Sequence, residues 1–221
     1  MTVLKTHSGS ESEPIAVRKP GRPRGGAINA KQREHLLDIA LHLFARQGIA
    51  ETSLNAIARQ AAVSPAMLNY YFRSREALLD SVIEERFVPL RGRIFEVFVA
   101  NADNPATAIG LLVTEIAETA KKSSWFAPLW MQEAASNEAL LKQRIHERYG
   151  KEEQNTVLSI IEGWQETGRL NAGLSPQLLI LSLMSLVLVP LARLGNNADE
   201  AEREMIVQHA LALLCQGISA G

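Results

Sequence analysis

The 221 residues give room for one large or two small domains, and a composition 47% apolar and 21% charged excludes a disordered, collagen-like or metal-stapled miniature chain. The lone cysteine, Cys215, cannot form an intramolecular disulfide or by itself hold zinc, so a secreted disulfide framework and a zinc finger are excluded and a reducing, cytoplasmic setting fits. The net charge of −1 is uneven: residues 1–90 sum to +3 and residues 91–221 to −4, with six cations and no acid from Ile15 to Arg33, which points to an anionic partner for the N-terminal part.

Residues 1–29, rich in Ser, Gly, Pro and charge, are expected to stay a flexible arm, and their start lacks the apolar run of an export signal. From Lys31 the pattern turns helical. Leu36, Leu37, Ile39, Ala40, Leu43 and Phe44 share one face, and Gly48 supplies a left-handed stop. A second short helix is expected to start at a Thr52-Ser53 cap, to bury Leu54, Ile57, Ala58 and Ala61, and to end near Ala62-Val63. Ser64 followed by Pro65 is an N-cap with proline at the first helical position, so a third helix carries Met67, Leu68, Tyr71 and Phe72. Ser74 caps a fourth helix from Arg75, which Pro89 is expected to kink or end.

Further helical windows cover residues 90–101, 106–122, 124–135, 138–167, 175–194 and 199–217, and no strand-like alternation or repeat interrupts them. The expectation is an all-α fold. The longest uncharged stretch, Leu170 to Ala192, is densely apolar only from Leu178, shorter than the ~20 residues of a membrane span, and reads as a buried helix with no membrane partner. No nucleophile elbow, phosphate loop or histidine pair with metal-ligand spacing is present, so the chain does not read as an enzyme and calls for no cofactor and no metal.

Two short helices joined by a tight turn, the second opening on Ser-Pro and closing in aromatics, have the layout of a helix-turn-helix, whose second helix fits the DNA major groove. The stretch Thr52 to Leu79 resembles the DNA-binding segment of the tetracycline-repressor (TetR) family, through Leu68, Tyr71, Phe72, Arg75, Glu76 and Leu78 after the helix-turn-helix. With the upstream helix the resemblance spans Gln32 to Leu79. Two positions depart from the family pattern: Ala62 stands where glycine is usual at the turn, and Asn69 where an aromatic is frequent.

Hydroxyls at Thr52, Ser53 and Ser64 are placed to meet phosphate oxygens, while Pro65, Ala66, Asn69 and Tyr70 should face the groove floor, where Asn reads adenine and apolar groups touch a thymine methyl. Tyr71 and Arg75 resemble the family's backbone clamps. In the arm, Gly21-Arg22-Pro23-Arg24 resembles an AT-hook core, which would place Arg22 and Arg24 along a narrow, A·T-rich minor groove.

The resemblance implies three regions: an arm (1–29), a helix-turn-helix domain (30–75) and a helical effector-binding and dimerisation domain (76–221). It also implies a homodimer on a palindromic operator in double-stranded DNA, repressing until a small apolar effector binds. The last two helices would pair with a partner through Leu179, Leu183, Leu186, Val187, Leu194, Ile206, Leu213 and Leu214. Phe98, Trp125, Phe126, Trp130, Met131 and Trp164 would line the effector pocket; Glu133, His146 and Tyr149 read better as solvated surface. The alternatives are a transcriptional activator and an architectural binder of A·T-rich DNA without effector control.

Overall fold

The computed structural model describes the backbone of residues 24–136, 139–195 and 199–217, and the side chains of 29–136, 139–195 and 199–214. Described residues are helical throughout apart from turns. The N-terminal part consists of α1 (Arg24–Gln47), α2 (Leu54–Gln60), α3 (Pro65–Tyr71) and α4 (Arg75–Val82), and the remainder of α5 (Val88–Ala100), α6 (Pro105–Lys122), α7 (Phe126–Ala135), α8 (Leu140–Tyr149), α9 (Glu152–Glu166), α10 (Pro176–Leu194) and α11 (Glu200–Gly217).

The first four helices follow the expected order, with one boundary moved. Helix α1 is already formed at Arg24 rather than at Lys31, so Arg24 does not lie in an extended arm; Arg22 falls outside the described residues. Ala27, Ala30, Lys31 and Gln32 favour helix strongly enough to carry it back through Gly25 and Gly26, each of which costs only about 1 kcal/mol relative to alanine. Leu36, Leu37, Ala40, Leu41 and Phe44 of α1 are buried against Ile57, Leu68, Phe72 and Leu78, so one apolar face of α1 organises all three following helices.

Pro89 neither ends nor breaks the helix. The chain passes from α4 through a single π-turn, Ile83–Phe87, into α5, with the Val88 N–H donating to the carbonyl of Ile83, five residues back. Proline has no N–H for the carbonyl of Glu85, and the Arg86 guanidinium donates to that oxygen instead (3.3 Å). The wider turn thus makes room for the ring while the helix continues.

The window 138–167 divides into α8 and α9 at Gly150, whose φ of +66° only glycine adopts cheaply. Glu133, expected at the surface, is half-buried, and its Oε2 accepts from the N–H of Leu141 (2.7 Å), capping α8; burial pushes this carboxyl up from its ordinary value.

Helix α10 packs against α6, α7, α9 and α11. By length and composition it could cross a membrane, as one buried helix of a globular protein also can. Its inward face is Leu179, Leu183, Val187, Leu188 and Leu191, while Leu178, Leu181 and Val189 stand exposed. This corrects the expected dimer surface. Leu179, Leu183, Val187 and Ile206 are buried within their own chain; Leu186 and Leu214 are half-buried, and only Leu194 and Leu213 of the eight are exposed. A helix apolar on all sides has two candidate faces, and the side facing α6 and α7 is fixed by contacts that periodicity alone does not reveal.

Candidate nucleic-acid interface

Ser53 has extended backbone and its hydroxyl accepts from the N–H of Ala56 (3.1 Å), which starts α2. That helix ends in a Schellman turn: Val63 N–H bonds the carbonyl of Ala58 (3.0 Å), Ala62 N–H bonds that of Arg59 (3.2 Å), and Ala62 sits at φ +53°. Alanine therefore occupies a left-handed position that favours glycine, at a cost of about 1 kcal/mol. Ser64 caps α3 by accepting from Met67 N–H (3.1 Å), with Pro65 in the first turn.

Leu68 and Phe72, fully buried in the shared core, hold α3 from its inner side, and this leaves Pro65, Ala66, Asn69 and Tyr70 exposed on the outer face. Tyr70 is 74% exposed. Its ring meets that of Tyr71 edge to face (5.2 Å, 80°), and the half-buried Tyr71 hydroxyl donates to Asn29 Oδ1 (3.4 Å), tying α3 to the start of α1. The expected groove-facing set is thus brought together on one short helix. Arg33, stacked over the Phe72 ring at 5.2 Å, anchors the same corner.

Thr52 is corrected. It is only 1% exposed, its hydroxyl donates to the Gly48 carbonyl (2.7 Å) and accepts from Gln47 Nε2 (3.1 Å), so it is closed off from a phosphate. Arg75 also points inward: its Nε donates to the Thr52 carbonyl (3.1 Å), and its Nη2 to the carbonyls of Ala50 (3.1 Å) and Ile49. Arg73, which the sequence reading passed over, is exposed and has no ion pair or hydrogen bond among the described residues. Its place directly after the aromatic pair is the signal that could have found it.

The π-turn links this domain to the rest. Glu85 takes a bidentate pair from Arg33 of α1 (2.7 Å to one oxygen), which holds its carboxyl below the usual carboxylate range. Arg86 binds Glu34 and Asp38 of α1, and Glu84 binds Arg148 of α8 (2.8 Å). Asp80 of α4 is gripped by both Arg144 and Arg148 of α8. Between α1, α4 and α8 opens a cleft of about 290 Å³, with Phe44, Ile49, Leu79 and Leu140 in its walls.

The six expected effector residues form two groups in the helical domain. Phe98 of α5 and Trp164 of α9 are buried and stacked (5.8 Å), the indole N–H bonding the Ala102 carbonyl. Trp125 packs between Phe87 (5.6 Å) and Phe126 (5.9 Å), whereas Trp130 is half-buried and Met131 is exposed.

Residues 36–82, from the core face of α1 to the end of α4, match the family described as bacterial regulatory proteins, tetR family. This stretch is a tetR-family segment. It is 32% identical over 83 residues to the HTH-type transcriptional repressor KstR2 of Rhodococcus jostii, a match covering 38% of this chain and 41% of that protein, so it spans less than half the length of that relative. The fold extends further than the sequence likeness. The ketosteroid transcriptional regulator KstR2 of Mycobacterium tuberculosis superposes with a TM-score of 0.66 over 86% of this chain and 96% of its own, at 19% identity. The regulator FadR from Bacillus subtilis, solved with stearoyl-CoA, superposes with a TM-score of 0.57 over 84% and 98%, at 19% identity. The chain thus shares their all-α architecture, with the helix-turn-helix placed first and the helical part after it.

Proposed function

We propose that this protein is a DNA-binding transcriptional regulator, a repressor that sits as a homodimer on a palindromic operator and leaves it when a small apolar effector binds. The observation that carries this reading is the outer face of α3. A short capped helix, pinned from behind by Leu68 and Phe72, holds Pro65, Ala66, Asn69 and Tyr70 outward, as a major-groove reader requires. Asn69 can pair with the N6 and N7 edge of adenine, and Pro65 and Ala66 can touch thymine methyl groups. Ser53 and Ser64, whose oxygens accept from the backbone, keep a hydroxyl proton to donate to phosphate.

One such unit covers few base pairs, and a two-fold dimer supplies the second half-site about one helical turn away. Leu178, Leu181 and Val189 of α10 with Met205 and Leu213 of α11, all exposed, supply an apolar surface for that pairing. Effector control is supported by two neighbours of the same fold, one bound to stearoyl-CoA and one named for ketosteroids. The aromatic groups around Trp164 and Trp125 lie in the corresponding helical part of this chain and suit a ligand with a large apolar body.

In vitro selection of bound sequences from a random DNA pool, with full-length protein at physiological salt, tests the reading. A palindromic consensus released by long-chain acyl-CoA supports all of it. A palindrome that no apolar ligand releases removes the effector, and recovery of A·T-rich sequence without symmetry removes the operator.

A further inference from the structure

The DNA-facing corner holds two arginines two residues apart, Arg73 and Arg75, and their surroundings differ. Arg75 opens α4, and its guanidinium reaches back to three carbonyls, of Ile49, Ala50 and Thr52, in the loop joining α1 to α2. Those carbonyls belong to a segment with few partners of its own. The Gly48–Phe44, Thr52–Ile49 and Thr52–Gly48 bonds, with the Gln47 amide on Thr52 and on the Glu51 carbonyl, knit it together. The same loop ends at Ser53, the N-cap of α2, so its path sets where α2 begins and, through the Schellman turn, how α3 is presented. A planar guanidinium with several fixed donors is suited to gather carbonyls from three residues; an ammonium, a compact point charge, is not. An arginine held this way is not free to pair with phosphate. Arg73 lies in the turn between α3 and α4, three residues from Tyr70, exposed and without an internal partner among the described residues.

On the DNA-binding reading above, we propose that the two arginines have separate roles: Arg75 is a positioning residue that holds the α1–α2 loop and thereby the pose of α3, and Arg73 supplies the charge that meets the DNA backbone. The charge that touches DNA governs salt dependence, because each neutralised phosphate releases counterions and adds about 0.9 to the slope of log affinity against log salt. A residue that only fixes the pose changes how well base edges are met and leaves that slope alone.

The experiment measures affinity against salt for the selected operator and for unrelated DNA, with active fraction fixed by stoichiometric titration, so that partial unfolding does not masquerade as weaker binding. Arg73→Ala, which removes one phosphate contact from each protomer of the dimer, is expected to lower the slope by about 2 on both DNAs, and Arg73→Lys to restore it. Arg75→Ala is expected to weaken operator binding at least about tenfold, with affinity for unrelated DNA and the slope unchanged. Arg75→Lys, which keeps the charge, is expected not to rescue. Should Arg75→Ala fold poorly, Thr52→Val loosens the same loop without touching a charge and carries the same expectation. A slope reduced by Arg75→Ala and restored by Arg75→Lys, or an unchanged slope for Arg73→Ala, overturns the division of roles while the DNA-binding reading stands. A wild-type chain that binds no DNA ends that reading itself.

Discussion

Asp80 of α4 and Arg144 of α8 form a two-point ion pair, Nε to Oδ1 at 2.9 Å and Nη2 to Oδ2 at 3.3 Å, and Arg148, one helical turn further along α8, closes on the same carboxylate at 3.0 Å. Helix α8 is buried chiefly through Leu141, so these charges are a main tie between α8 and α4. The hydrogen bond from Arg144, followed by the charges of Arg144 and Arg148, holds the Asp80 carboxyl below the usual carboxylate range against the opposing effect of burial.

The sign of the pH effect follows. A carboxyl with a depressed folded-state value contributes stability above its ordinary titration range and loses it as the pH falls through the folded value. Asp80→Asn should therefore lower stability near pH 7 by less than about 1 kcal/mol, since the pair is partly solvated, and the gap from wild type should close below about pH 4. Urea unfolding of both proteins across that range checks this; a gap that persists in acid would place the effect elsewhere.

At the turn of the helix-turn-helix, Ala62 at φ +53° carries strain that glycine does not. Ala62→Gly should stabilise the chain by about 0.5 to 1 kcal/mol, the relief of the left-handed conformation exceeding the added freedom of the unfolded chain. Thermal or denaturant unfolding measures it, and a destabilised glycine variant would show that the turn is relaxed as it stands.

The two faces of α10 should respond differently to substitution. Leu183 is fully buried, and Leu183→Ala should cost about 2 to 5 kcal/mol of stability. Leu181, 48% exposed, and Leu213, 50% exposed, lie on the outer surface, so Leu181→Glu with Leu213→Glu should leave the helical content intact and give monomers by light scattering. Dimers surviving that double change would move the interface to another face.

Much of this was legible in the residues. Ser53, Ser64 and Ser74 announced three helix starts, because a short hydroxyl on extended backbone satisfies an N–H that the helix cannot. The alternation of buried and exposed positions around Leu68 likewise placed Asn69 and Tyr70 outside. The direction of Arg75 was not legible, since a guanidinium on a long stem chooses between solvent and the loop carbonyls of residues 26 to 23 positions earlier, a tertiary matter. Nor was the inward face of α10, where Leu178 and Leu179 look alike until α6 and α7 are in place. The π-turn before Pro89 escaped because a missing N–H can be met by ending a helix or by widening it, and the carbonyl of Glu85 found Arg86.

On the proposed reading, the outer face of α3 reads base sequence. Parallel selection from one random DNA pool with wild type and with Asn69→Ala tests it most directly. Both should recover the same palindromic frame, with the variant losing preference at one symmetry-related pair of positions, where adenine contact is worth about 1 to 3 kcal/mol. An Asn69→Ala consensus identical to wild type at every position would contradict it.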